Sequence, residues 1–286
     1  MGSPDLAAAE QFIAANARVL ERRRHERFAG TGDARALHEA LGAYRNADGG
    51  YGHALEPDGR CPDSQPPAMD YALRVLHQDD AWNDDLALSA CDWLERNAPA
   101  DGGVIFVAPS IEGWPHAPWW VPEDRLPPSL AFTGQLSATL QARGVDHSWL
   151  ARSSELIWKL IDRVEQAGAY DLRGALAFLD QVPDRDRAET ALERLAPLVL
   201  EAVELDPEAA GEVHGPLDFA PRPQSLARRL FDEATIEAHL DHLAGAQLED
   251  GGWTFNWLAW SPVAAVEWRG VRTVEALHVL RANGRL

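Results

Sequence analysis

The stretch AHLDHLAGAQLEDGGW, Ala238 to Trp253, decides how this chain folds. Upstream of the turn, Ile236, Leu240 and Leu243 recur at three- and four-residue steps, the pattern of a helix with one buried face. Asp250-Gly251-Gly252 then breaks the helix, because glycine reaches backbone conformations closed to other residues. The same turn recurs in YRNADGGYGHALEPD, Tyr44 to Asp58, and in ADGGVIFVAPS, Ala100 to Ser110. Asp48 and Asp101 lie 53 residues apart, and Asp101 and Asp250 lie 149 apart, close to three further units of that size. A unit of about fifty residues with two helices each is the signature of a helical repeat array. The intervening turns would fall near Asp146 and Leu205, where no Gly-Gly stands, so the middle repeats have diverged.

The rest of the chain is helical in its periodicity. HSWLARSSELIWKLIDRVEQ and DRDRAETALERLAPLVLEAVEL each carry one apolar face, and Asp33, Asn83 and Asp232 stand as N-caps at the heads of runs. A second set is apolar on more than one face: SQPPAMDYALRVL, PPSLAFTGQLSATLQ, DLRGALAFLDQV and VEWRGVRTVEALHVL. The two sets alternate, which predicts two concentric layers with the second set inside. Only GGVIFV, Gly102 to Val107, hints at a strand. The expected class is all-α, as one domain over residues 1–286.

Bulk composition narrows the partners. The 286 residues are 46% hydrophobic, enough for a sizeable core, and the formal net charge is -19. Nucleic acid and anionic membrane surfaces both require a basic face, so neither is an expected partner. The two cysteines, Cys61 and Cys91, cannot make a disulfide framework and read as reduced thiols of a cytoplasmic protein. The N-terminal MGSPDLAAAEQF reads as a poor secretory leader. The longest uncharged run, Leu126 to Ala142, has 17 residues and contains Pro127, Pro128 and several polar groups. That is short of the roughly 20 apolar residues of a membrane span.

In the opening stretch Leu243, Gln247, Gly251 and Trp253 have the spacing of a known repeat, and the sequence resembles the terpenoid cyclase and protein prenyltransferase superfamily there. CDWLERNAPADGGV and LGAYRNADGGYG are degraded copies, with Ala98 in the Gln place and Val104 or Tyr51 in the Trp place. The resemblance implies an α/α toroid, a barrel of about 10–12 helices whose inner layer walls a cavity and whose Gly-rich loops share one end. In such repeats Gln247 bonds the end of a neighbouring helix and Trp253 packs beside it, so both are structural. The catalytic motifs of that superfamily do not carry over. There is no Asp-x-Asp-Asp acid motif and no aspartate-rich magnesium motif, and Cys61-x-Asp63 reverses the zinc-binding order. No metal and no cofactor is expected.

Two loops and the C-terminal segment supply the candidate site. HALEPD is unique to the first copy, so repeat architecture does not explain His53, Glu56 and Asp58. These groups are candidate acids, with Glu56 first because no turn or cap role accounts for it; Asp58-Gly59 also reads as a turn and Asp63 or Ser64 as an N-cap. In EGWPHAPWWVPED, His116 is a candidate titrating group, flanked by Glu123, Asp124 and Arg125. Trp114, Trp119 and Trp120, with Phe255, Asn256, Trp257 and Trp260, are candidate substrate-binding residues, either lining a cavity or plugging the mouth of the barrel. His214, Asp218 and Arg222 form a weaker set, and Glu267, Arg269 and Arg272 read as ion pairs before an anion site.

Three functions follow. The first is a cyclase-like or isomerase-like enzyme that holds an apolar, isoprenoid-type small molecule in an aromatic-lined cavity and starts reaction with a carboxylic acid or histidine. The second is a non-catalytic helical-repeat module that binds a ligand or protein. The third is a carbohydrate-active α/α barrel, a glycosidase or lyase working through two carboxylates. The oligomeric state is left open.

Overall fold

A computed structural model describes residues 3–122 and 129–286 of the chain. Twelve α-helices run through the described residues: α1 (Leu6–Asn16), α2 (Val19–Phe28), α3 (Ala34–Gly42), α4 (Pro66–Gln78), α5 (Asp84–Asn97) and α6 (Leu130–Ala142). The order continues with α7 (Ser148–Arg163), α8 (Ala169–Gln181), α9 (Arg185–Ala202), α10 (Pro216–Phe219), α11 (Glu233–Gly245) and α12 (Pro262–Ala282). No strand is present among the described residues, and the GGVIFV segment is irregular. Its Val104 N–H is satisfied instead by the Thr133 hydroxyl of α6, at 3.0 Å. The all-α reading therefore holds. The three expected N-caps also form: Asp33, Asn83 and Asp232 accept from the N–H groups of Ala36, Leu86 and Thr235.

By contact the chain divides into two compact units, one of residues 1–40 with 199–286, the other of residues 41–198. In the second unit α4 touches α6, α6 touches α8, and α5 touches α7. Alternate helices thus form two rows. The row α4, α6, α8 is buried on most sides; Met69, Tyr71, Ala72 and Leu73 in succession leave no solvent face on α4. Helices α5 and α7 bury one face each, through Ala87, Ala90 and Leu94 and through Trp149, Ile157 and Ile161. The α6–α8 contact is set by two glycines. A Cβ on Gly134 would strike the Gly174 carbonyl, and one on Gly174 would strike the carbonyls of Leu130 and Ala131, so the two backbones meet directly.

In the first unit α12 packs against α1, α2 and α11. Its core joins Phe12, Ile13, Phe28, Trp253, Val274 and Leu277. Arg269 and Arg272 of α12 do form ion pairs, with Asp250 at 2.7 Å and Glu275 at 2.9 Å, partners other than the Glu267 expected from sequence.

The three Asp-Gly-Gly turns share one geometry. In each the first glycine has a positive φ: 91° at Gly49, 85° at Gly102 and 90° at Gly251. The aspartate side chain accepts from the N–H of the second glycine, at 2.9, 3.0 and 3.2 Å in chain order. Each left-handed glycine also rests on a one-faced helix: Gly49 on Ser89 of α5, Gly102 on Arg152 and Ser153 of α7, Gly251 on Ala8 of α1. At the third turn the Gln247 amide accepts from the Asp5 N–H and donates to the carbonyls of Asp5 and Gly251. Trp253 gives its indole N–H to the Leu243 carbonyl at the end of α11. The glutamine and tryptophan thus carry the structural roles expected of them.

Gly251→Ala is expected to lower stability by about 3 kcal/mol or more, because the new methyl meets the Ala8 carbonyl in a left-handed conformation. Gly284→Ala, also left-handed but in open space, is expected to cost only about 1–2 kcal/mol in the same urea titration. The Asp250 carboxyl is held below the ordinary aspartate range, first by its hydrogen bond to Arg269. Its contribution is therefore present above that range and lost as pH falls through the lowered value. Arg269→Gln is expected to move the acid-unfolding midpoint to higher pH.

Candidate functional site

Two loops that look unrelated in sequence are joined in space. Residue 59 pairs with residue 116 as an antiparallel bridge, with Arg60 N–H donating to the Pro115 carbonyl and Ala117 N–H to the Asp58 carbonyl. This pairing brings the HALEPD segment and the tryptophan-rich loop together, so Glu56, Asp58 and His116 do belong to one region. Within it most of the polar groups have structural duties. The Glu56 carboxylate accepts from the Asp58 N–H at 2.7 Å, a turn role, which corrects the expectation that it has none. The space shared by Glu56, Gln65, Ile111 and Trp120 measures about 10 Å³, the scale of a single water. His116 Nδ1 lies 2.6 Å from the Trp114 carbonyl. Glu123, Asp124 and Arg125 lie outside the described residues.

The tryptophans divide by burial. Trp120 is 4% exposed, lies over Gly59 and meets the Phe106 ring edge-on; it plugs the loop region, where a ligand platform was expected. Trp114 and Trp119 are exposed. In the first unit the Phe255 and Trp257 rings meet tilted at 4.8 Å, Trp257 meets Trp268 edge-on at 5.0 Å, and the Asn256 amide donates to the Val213 carbonyl. Trp260 is half-buried nearby in sequence. Phe255, Trp257 and Trp268 thus contact one another. Asp218 is a local cap, accepting from the Gly215 N–H. Cys61 is buried beside Ser110 and Gln65, and among the described residues no group of histidine, cysteine and carboxylate side chains has metal-binding spacing.

His53 differs from its neighbours. It and Ala54 are consecutive non-glycine residues at φ 54° and 61°, a left-handed pair that costs energy to hold. His53 Nε2 lies 2.9 Å from Asn46 Oδ1, and the Asn46 amide nitrogen donates to Pro62 and Ser64.

Asn46 also lines a cleft of about 500 Å³, within the usual size of a small-molecule site. Its polar lining is Asn46, Asp48, Asp63 and Ser64 from the first loop, with Asn97 and Ser110. Its apolar lining is Trp93 and Leu94 of α5, then Val104, Ile105, Ala108 and Pro109. The first Asp-Gly-Gly turn joins the two sets. The Asp48 carboxylate accepts from Ser64 Oγ at 2.8 Å and from Trp93 Nε1 at 3.0 Å, besides its own turn, so it ties the loop to α5. Neither Asp63 nor Ser64 is an N-cap, because α4 begins at Pro66 behind Gln65. Instead Gln65 bridges to the second loop, donating to Ser110 Oγ and accepting from the Ala108 N–H. The sequence reading had missed Asn46, Asn97 and Ile105 as site residues. The available signal was that the first two turns, 53 residues apart, are consecutive, so the loops after them would be neighbours.

The chain matches no protein-family model and no curated protein sequence. The burial of Trp120 separates it from Trp119, which is 41% exposed. Trp120→Ala is expected to destabilise the fold by about 3–5 kcal/mol. Trp119→Ala is expected to leave stability within about 0.5 kcal/mol in parallel denaturant titrations.

Proposed function

We propose that the chain is a divergent α/α-toroid protein of the terpenoid cyclase and prenyltransferase kind, and that it binds a small molecule with an apolar body and a polar end. The toroid reading is supported by the alternation of helix rows, the shared turn geometry and the Gln247–Trp253 clasp. The observation that carries the binding reading is the mixed lining of the cleft: hydrogen-bonding groups from residues 46–64 together with a run of apolar side chains from residues 93–109. Burying an apolar chain against the second set contributes about 25 cal/mol per Å² covered. The amides and hydroxyls of the first set orient the polar end. The isoprenoid class expected from sequence suits this shape.

Acid–base chemistry is a second reading, favoured by the strained His53–Ala54 pair at the edge of the cleft. Strained backbone concentrates at working sites because the surrounding structure must hold it against its preference. A cytoplasmic setting agrees with the two thiols.

Binding is checked by thermal shift and native mass spectrometry with geraniol and farnesol. Both alcohols are expected to raise the melting temperature of the wild type. Ile105→Trp, which fills a half-buried edge of the cleft, is expected to abolish the shift with the unliganded melting temperature retained. An Ile105→Trp protein that still responds as the wild type would sink the assignment to this cleft.

A further inference from the structure

The polar lining of the cleft also carries a sign of charge, and resting on the binding reading above, the geometry points to a protonated amine as the polar end of the ligand. Asp48 and Asp63 line the cleft, and among the described residues no lysine, arginine or histidine does. Their situations differ. Asp48 is occupied by three donors, Gly50 N–H, Ser64 O–H and Trp93 N–H. Arg96 of α5 donates to the Asp48 main-chain carbonyl, so its partner is the backbone of the turn. Asp63 is exposed and its carboxylate has no partner among the described residues. It is thus the one cleft carboxylate whose oxygens are all open to an incoming donor.

A diphosphate or carboxylate head would face two like charges in the cleft lining. An alcohol has a single O–H to give to Asp63 and no charge of its own. An ammonium would give up to three N–H donors and bring the opposite charge to Asp63, with the Asn97 and Ser110 oxygens of the lining as further acceptors. Charge on the carboxylate therefore selects the head, and the apolar lining fixes the body. The site class is a lipophilic primary amine.

The matched series geranylamine, geraniol and geranyl diphosphate separates the two ideas in an isothermal titration at neutral pH. Wild type is expected to bind the amine about ten-fold more tightly than the alcohol, with no measurable binding of the diphosphate. The preference should shrink as salt rises. Asp63→Asn should bring the amine to the affinity of the alcohol and leave the alcohol unchanged. Glu193→Gln, an exposed acid on α9, should preserve the amine preference; its loss there would show non-specific attraction to an acidic protein and overturn the proposal. Equal binding of all three ligands, abolished by Ile105→Trp, would overturn the amine reading and leave the cleft reading standing. No binding by any of them would overturn both.

Discussion

The structure depends on a hydrogen bond between an aspartate side chain and the N–H of the second glycine that follows it. That bond closes a turn in which the intervening glycine must be left-handed, and the turn occurs three times with φ between 85° and 91°. Because the left-handed residue has no side chain, the turn can lie flat on a helix. The turn after α3 rests on α5, the turn after α5 on α7, and the turn after α11 on α1. One local bond therefore sets how a helix pair leans on its neighbour, and the loops that follow it inherit their position from that contact.

The first copy also shapes the cleft. Its aspartate holds Ser64 and Trp93 as well as its own turn, so the same carboxylate that shapes the loop also fixes two lining residues of the cleft. In the third copy the corresponding carboxylate is held by Arg269, and the turn is tied to the chain's first helix through Gln247 and Asp5. The second copy has Pro99 where Asn46 and Leu248 stand in the others. Both of those donate an N–H back to the second glycine, and proline has none to give.

Much of the fold was legible because it is written in local chemistry. Caps at Asp33, Asn83 and Asp232, one-faced periodicity in α7, α9 and α11, and the Gln247–Trp253 spacing each specify a contact within a few residues or one turn. The site was less legible. Loop pairing at residues 59 and 116 is long-range and leaves no periodic trace, so Glu56 looked free when its carboxylate caps the next turn. Trp120 could not be told from Trp119 by composition, because the difference is only that Gly59 leaves room for one ring. His53 stood out as an ionisable group outside the repeat, but its left-handed backbone has no signature in a non-glycine residue.

The clasp between Asp5 and Gln247 has a consequence for the order in which the chain can fold. The second unit is one continuous stretch, residues 41–198, and all of its helices have left the ribosome before α11 and α12 are made. The first unit is split: α1 and α2 emerge first, yet their packing partner α12 and the turn that receives α1 come last. The amino-terminal helices must wait, with the apolar faces of Phe12, Ile13 and Phe28 uncovered, until the final 40 or so residues arrive. During synthesis the inner face of the opening segment is thus open to aggregation until the partners that bury Phe12 and Ile13 are made.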